Sequence, residues 1–154
     1  MTIDERIRAV GLTVPDHAPT RAAFKPFNQQ GNLLVVSGQL PLRDGKVQWT
    51  GAVPEAVSVD DAKAAARLRV LNVLGYVHQA TGGNLERVTK VLKLGGYVVT
   101  SPGFADAPSI INAASELITQ IFGDRGEHAR IAIGVASLPL NAPVEVEATF
   151  ILED

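Results

Sequence analysis

An apolar side chain recurs every three or four positions in the middle of the chain, and this period predicts an amphipathic helix. Ser58 can cap the first turn of that helix, with Asp61 three residues later. The cations Lys63, Arg67 and Arg69 are expected to remain in solvent while the alanine-rich face packs on a sheet. The apolar stripe consists of Ala62, Ala66, Val70, Val73 and Val77.

The same period predicts two further helices. Ile3 to Val10 is a short amphipathic stretch that Gly11 ends. The other helix begins near Pro108, because proline is favoured in the first turn, and it ends near Gly123. Its apolar positions are Ile110, Ile111, Ala114, Leu117, Ile118 and Ile121.

Strand-like runs lie before, between and after the two longer helices. Leu33 to Val36 is a compact apolar run that suits a buried strand, and a turn at Asp44-Gly45 leads to Lys46 to Thr50 as the next strand. Val88 to Thr100 has the composition of a long strand, with a bulge or bend at Gly95-Gly96.

The last two runs each carry charges among residues of strand type. Arg130 shares its face of the first run with very small residues, which leave room for a ligand. Glu145 and Glu147 share one face of the second run, opposite an apolar face. We therefore expect the guanidinium and a carboxylate to face one concave space. The small residues are Ala132, Gly134 and Ala136, and the apolar face is Val144, Val146, Ala148 and Phe150.

The predicted elements follow one another as two or three strands, a helix, a strand, a helix and two strands. This order is typical of an α+β fold in which the helices cover one face of a mixed sheet.

Composition narrows the functional classes. A chain of 154 residues that is 46% hydrophobic fits one domain with a single core. Its net charge of −2 gives no general attraction to nucleic-acid phosphates. Cysteine is absent and His17, His78 and His128 lie far apart, so we expect neither thiol chemistry nor a metal site. The start, MTIDERIRAVGL, has the pattern of neither a signal peptide nor a membrane anchor, which favours a cytoplasmic protein.

Two blocks of the sequence together resemble a known family. The first runs from Gly31-Asn32 through an apolar stretch to Ser37-Gly38-Gln39-Leu40-Pro41. The second consists of Arg130, a hydrophobic strand, Leu138-Pro139 and the run Val144-Glu145-Val146-Glu147-Ala148. In this order they resemble the RidA/YjgF family of reactive-intermediate deaminases, also called L-PSP endoribonucleases. The resemblance covers residues 20–154 and leaves residues 1–19 as an N-terminal helical arm.

The resemblance implies a chorismate-mutase-like α+β domain that forms a homotrimer. Three sheets then surround a central barrel, and each subunit interface holds a cleft for a 2-imino or 2-oxo carboxylate. No cofactor, metal, nucleic acid or membrane is implied as a partner.

Within that cleft, the resemblance implies that Arg130 binds the substrate carboxylate through its planar fork of donors, assisted by the backbone amide of Ala132. Glu145 takes the catalytic position and orients or activates water, whereas Glu147 makes a structural hydrogen bond or ion pair. The residues alone favour the plainer interpretation, in which Arg130 forms a structural ion pair at a strand start and both glutamates lie on a solvated face.

The remaining candidates have weaker support. The resemblance implies that Ser37 and Gly38 line the pocket, although the same residues could form only a turn at a strand end. Asn112 aligns with a pocket asparagine, and an exposed polar position would explain it equally well. Phe24 stands where the family commonly has tyrosine, so a phenolic hydroxyl is missing. His128 is predicted to be a loop or subunit-interface residue rather than an acid–base catalyst.

The implied activity is the hydrolytic deamination of reactive 2-imino or enamine acids to 2-oxo acids and ammonia. Because Phe24 lacks the hydroxyl, a second hypothesis is a non-catalytic trimeric protein that binds small carboxylates. Endoribonuclease activity is a third, disfavoured by the acidic balance and by the lack of a basic aromatic patch.

Overall fold

A computed structural model describes residues 1–19, 22–39 and 42–154 of the chain. Leu40 and Pro41 of the first sequence block, and Thr20 at the expected domain boundary, lie outside the described residues. The helices are α1 (Ile3–Ala9), α2 (Val59–Ala80) and α3 (Ala107–Phe122). The strands are β1 (Phe27–Gln30), β2 (Leu33–Gln39), β3 (Leu42–Arg43), β4 (Lys46–Val47), β5 (Val88–Val99), β6 (Ala129–Val135) and β7 (Val144–Leu152).

Five of the strands form one mixed sheet in the order β1-β2-β7-β5-β6. All neighbours are antiparallel except β5 and β6, which run parallel and are joined through α3. Helices α2 and α3 pack on one face of this sheet, where alternate side chains of β7 enter the core. The predicted α+β fold, with two main helices on one face, is confirmed. The buried residues of β7 are Val144, Val146, Ala148, Phe150 and Leu152.

The predicted helices are confirmed together with their ends. The Ser58 hydroxyl accepts a hydrogen bond from the Asp61 amide at 3.1 Å, which satisfies a free donor of the first turn of α2. Pro108 lies in the first turn of α3, and Gly123 caps the end of that helix. The expectation for Arg69 was wrong, because this side chain is fully buried beneath α2.

The strand predictions need three corrections. Leu33 to Val36 alternates between exposed and buried positions, because only one face of β2 meets the helices. The run from Lys46 to Thr50 contributes only β4, which pairs with β3 in a separate hairpin around the Asp44-Gly45 turn. Strand β5 continues through Gly95-Gly96, since its two register shifts occur earlier, between Val88 and Lys90 and between Val91 and Lys93. Gly96 is needed for close packing, because a β-carbon there would lie 2.6 Å from the Ile111 side chain.

The N-terminal helix α1 shares the core of the rest of the chain. Ile3 and Ile7 are buried in the same cluster as α2, α3 and the sheet. The Glu86 carboxylate accepts a hydrogen bond from the Ile3 amide and pairs with Arg125 at 3.0 Å, and both contacts lower the pKa of Glu86.

None of the helices in the described residues has the length and apolar character needed to cross a membrane.

Candidate functional site

The Glu145 carboxylate lies on the face of the sheet that the helices leave uncovered. Tyr97 is its partner across β5 and also points to this face. A register irregularity in β2 between Val36 and Gln39 brings Gly38 against the Glu145 side chain. A β-carbon at Gly38 would overlap the carboxylate oxygen, so glycine is required for this close approach.

The surroundings of Glu145 favour its protonated form at a higher pH than usual. Partial burial of the carboxyl group is the main reason that its pKa is raised, and the negative charge of Glu147 adds to the rise. The positive charge of Arg69 opposes both effects. A carboxylate whose pKa is raised towards neutral pH is suited to accept a proton from water.

Glu147 has the structural role expected of it. The Tyr97 hydroxyl donates a hydrogen bond to Glu147 Oε1 at 3.0 Å. Burial, this bond and the charge of Glu147 raise the pKa of the Tyr97 phenol. The carboxylate also fills the space beside Gly95, where a β-carbon would lie 2.7 Å from it.

The Arg130 side chain projects from the opposite face of the sheet, the face that the helices cover. It pairs with Leu94, which belongs to the buried core, whereas Glu145 pairs with Tyr97 on the uncovered face. Its guanidinium donates to the Ser115 hydroxyl at 3.2 Å and to the Pro108 carbonyl at 3.4 Å, both in α3. The expectation that Arg130 and Glu145 share one concave space is therefore wrong within a single chain.

Ser115 links Arg130 to His128, a connection that the sequence analysis missed. His128 Nδ1 lies 2.6 Å from the Gly126 carbonyl, which can only accept, so Nδ1 is the donor of this hydrogen bond. Nε2 then accepts from the Ser115 hydroxyl at 2.9 Å, which leaves the Ser115 oxygen able to accept from Arg130. His128 thus lies in a loop, as predicted, and helps to fix the Arg130 side chain through Ser115.

The other sequence candidates are dispersed. The Ser37 hydroxyl donates to the Lys25 carbonyl at 2.8 Å, so it ties β2 to the segment before β1. Ala132 is half-buried on the edge strand β6, opposite Gly96. Asn112 is exposed on α3, and Phe24 is 65% exposed in a bend before β1. Of these candidates, a single chain brings together Gly38 and Glu145, with Ser37 adjacent along β2.

Arg69 is a functional candidate that was not found from the sequence. Its side chain is fully buried, and its three guanidinium nitrogens make no hydrogen bond in the described part of the chain. Burial lowers the pKa of the guanidinium to about 8, although Glu145 counteracts this effect. A usable signal was present, because position 69 lies three residues after Ala66 and four before Val73, on the apolar stripe.

The candidate site is not an enclosed cavity in one chain. A cavity of about 780 Å³ lies between the N-terminal segment and α2, where His17 stacks on Tyr76 at 4.0 Å, and neither Glu145 nor Arg130 lines it. A second, of about 500 Å³, lies where β5 and β6 end. Within the described ranges, no three acidic or histidine side chains are grouped to hold a metal ion.

Comparisons with known proteins agree on one family. A sequence profile described as "YjgF/chorismate_mutase-like, putative endoribonuclease" matches residues 4–150. Protein TCP17 of Trypanosoma cruzi is 39% identical over 143 residues, which cover 92% of this chain and 89% of that protein.

Solved structures show the same fold. Protein Atu1372 from Agrobacterium tumefaciens, of unknown function, is 41% identical with a TM-score of 0.92 and covers 99% of this chain and 93% of its own. A "putative endoribonuclease" from Shewanella oneidensis MR-1 is 30% identical with a TM-score of 0.93. The match covers 99% of this chain and 100% of that chain. The YjgF gene product of E. coli is similar in fold alone, with 24% identity and a TM-score of 0.61. That match covers 86% of this chain and 90% of the E. coli chain.

Proposed function

Because the chain belongs to the YjgF/chorismate-mutase-like family, we propose that it hydrolyses reactive 2-imino or enamine acids to 2-oxo acids and ammonia. The observation that carries this proposal is the Glu145 carboxylate, half-buried and held against Gly38 on the uncovered face of the sheet. A carboxylate in that position can orient one water molecule and take its proton.

The reaction places a modest demand on the protein. The carbon of a protonated imine is already electrophilic, so water adds to it as Glu145 accepts a proton. Glu145 then passes that proton to the carbinolamine nitrogen, ammonia leaves as the carbon–nitrogen bond breaks, and the hydroxyl returns its proton to Glu145 as the carbonyl forms. The site must chiefly bind the substrate carboxylate and orient water, and these are effects of proximity and orientation.

A second subunit supplies what one chain lacks. The side chains of Arg130 and Glu145 project from opposite faces of one sheet. A small ligand that contacts both side chains must therefore lie between two copies of the chain. The uncovered face beside Glu145 also exposes Ile131 and Ile133, each 41% exposed, which a second copy would cover. We therefore place the cleft at the interfaces of a homotrimer, with Glu145 from one subunit and Arg130 from its neighbour.

The decisive test is a coupled assay. A pyridoxal-phosphate-dependent dehydratase generates 2-iminobutanoate or 2-iminopropanoate, and semicarbazide traps the imine that remains. An active protein lowers the initial rate of semicarbazone formation, because the 2-oxo acid reacts with semicarbazide more slowly than the imine does, and Glu145→Gln protein serves as the matched control. Equal initial rates with and without the wild-type protein, over several imino acids, would refute the deaminase proposal.

Phe24 favours an alternative, a trimeric protein that binds small carboxylates without turnover. Its exposed ring supplies no hydroxyl where the resemblance leads us to expect one. Calorimetric titration with 2-oxobutanoate, run beside the coupled assay, separates the two functions, because binding without imine hydrolysis supports the alternative.

Incubation with a labelled RNA tests the endoribonuclease activity named in the description of the family profile.

A further inference from the structure

The Tyr97 hydroxyl is fixed on the same face of the sheet as the Glu145 carboxylate. Tyr97 and Glu145 are direct partners in the antiparallel register of β5 and β7, so both side chains project from the uncovered face. Side chains paired in this way have β-carbons about 5 Å apart. Glu147 lies two positions further along β7 on that face, and its Oε1 accepts a hydrogen bond from the Tyr97 hydroxyl at 3.0 Å. A ligand that approaches Glu145 from the uncovered face therefore meets a phenol oxygen held in one place.

The bond to Glu147 decides which kind of group this phenol oxygen can bind. The single hydroxyl proton is donated to Glu147, so the oxygen offers only lone pairs to a ligand. Burial, this bond and the charge of Glu147 raise the pKa of the phenol, which keeps it protonated at neutral pH. A ligand with an N–H group can donate to such an oxygen, whereas a carbonyl oxygen would face it with lone pairs on both sides. The arrangement therefore selects a nitrogen donor.

The substrate and the product of the proposed reaction differ in this group. A 2-imino acid carries an N–H group on its second carbon, and the corresponding 2-oxo acid carries a carbonyl oxygen there. We propose that Tyr97 determines specificity by accepting a hydrogen bond from the imine nitrogen, which favours the imino acid over its 2-oxo product. The bond holds the nitrogen end of the ligand, and it is lost when ammonia leaves. The role in turnover rests on the proposed function, whereas the preference for a nitrogen donor can be tested without it.

Two stable ligands with one carbon skeleton test this preference by calorimetric titration. The second carbon of 2-oxobutanoate carries only an acceptor, and that of L-2-aminobutanoate carries only donors. We expect Tyr97→Phe to weaken the binding of 2-aminobutanoate by roughly 10- to 150-fold and not to weaken that of 2-oxobutanoate. Tyr76→Phe changes the other tyrosine of the chain and is the matched control, which should alter neither affinity. No binding of 2-aminobutanoate by the wild type, no loss in Tyr97→Phe, or equal losses for both ligands would overturn the proposal.

The part of Glu147 is tested by a double-mutant cycle. Glu147→Leu frees the Tyr97 hydroxyl to donate to the carbonyl of 2-oxobutanoate, so the affinity for this ligand should rise. Loss of the charge also favours an anionic ligand, so a smaller rise should remain in a Tyr97→Phe background. In the conservative variant Glu147→Gln an amide oxygen still accepts from the hydroxyl, and the larger rise should be absent. Equal rises in both backgrounds would show that Glu147 acts through its charge alone, which contradicts the proposal.

A measurement on the wild-type side chain does not depend on the stability of any Tyr97 variant. With carbon-13 at the phenol carbon of tyrosine, the two tyrosines of the chain give two signals, which Tyr76→Phe assigns. Saturation with 2-aminobutanoate should shift the Tyr97 signal and leave the Tyr76 signal in place. A Tyr97 signal that does not respond to 2-aminobutanoate would overturn the proposal.

The kinetic consequence is tested separately. If the deaminase proposal holds, Tyr97→Phe should raise KM for the imino acid more than it lowers kcat, and 2-oxobutanoate should inhibit it more strongly relative to substrate. A purely structural role for Tyr97 would lower kcat without changing the preference between the two ligands. If the wild type does not hydrolyse imines, the proposed function fails while the ligand titrations still decide the role of Tyr97.

Discussion

Arg130 and Glu145 are held on opposite faces of one sheet, with β5 between their strands. Neither side chain can cross the sheet, because Arg130 is bound to α3 and Glu145 lies against Gly38. A site that uses both therefore depends on assembly, and each of its components can be tested by a substitution.

We expect the wild-type protein to scatter light as a trimer, with three times the chain mass of 16.3 kDa. Ile133→Glu should give monomers and abolish imine hydrolysis, because it places a charge on the apolar face that we propose another copy covers. Circular dichroism should show unchanged secondary structure in that variant. A wild-type protein that stays monomeric at micromolar concentration would contradict the shared cleft.

Arg130→Ala should weaken the binding of 2-oxobutanoate by roughly 10- to 150-fold, the equivalent of about 1.5–3 kcal/mol for a charge-assisted hydrogen bond. Arg130→Lys should recover only part of the affinity, because an ammonium cannot reproduce the planar fork. Calorimetric titration of the three proteins measures the effect. Equal affinities would remove Arg130 from the site.

Glu145→Gln should retain ligand affinity and lose enzyme-dependent hydrolysis, because the amide has nearly the same size but cannot take a proton from water. Glu147→Gln should retain both ligand affinity and enzyme-dependent hydrolysis. Since the charge of Glu147 raises the pKa of Glu145, its removal lowers that pKa, and activity should persist to lower pH. Semicarbazone competition across a pH series compares the variants, and an unshifted acidic limb in Glu147→Gln would argue against Glu145 as the base.

Gly38→Ala should destabilise the fold by about 1–3 kcal/mol, because the added methyl group overlaps the Glu145 carboxylate. In a Glu145→Ala background the methyl group meets no carboxylate, and the same change should cost less. Urea unfolding of the four proteins gives the coupling between the two positions. Equal costs in both backgrounds would show that the close approach does not constrain Gly38.

Phe24→Tyr should increase the rate of imine hydrolysis if the missing hydroxyl limits catalysis. The ring is 65% exposed, so the added hydroxyl causes no crowding within a single chain. Phe27→Tyr is the control, because that ring packs towards Tyr76, with ring centroids 6.3 Å apart. A gain of activity in both variants, or in neither, would show that position 24 is not where the hydroxyl is needed.

Periodicity within an element was readable from the sequence, whereas relations between elements were not. The Ser58 cap and the apolar stripes predicted α2 and α3, because they depend on residues a few positions apart. Alternation also predicted which side chains of β6 and β7 share a face. It could not show that Arg130 and Glu145 lie on opposite faces, since the face of one strand relative to another is set by pairing register.

The error at Arg69 has a different physical origin. A charged residue in a helix is usually solvated, which is why Arg69 was expected in solvent together with Lys63 and Arg67. It is buried because the face of α2 that carries it packs on β2 and β7, and both strands are distant from position 69 along the chain. Ser115 was missed for a similar reason, because its role arises only when His128 and Arg130 fold back on α3.

Strand β7 is the last strand to be synthesised and the central strand of the sheet, since it pairs with both β2 and β5. While the ribosome is still making the preceding segments, β2 and β5 have no neighbour between them, and their unpaired backbone groups stay accessible. Productive folding must therefore wait until β7 emerges, and contacts distant in sequence make such pairing slow. We expect the nascent chain to be most prone to aggregation just before that point.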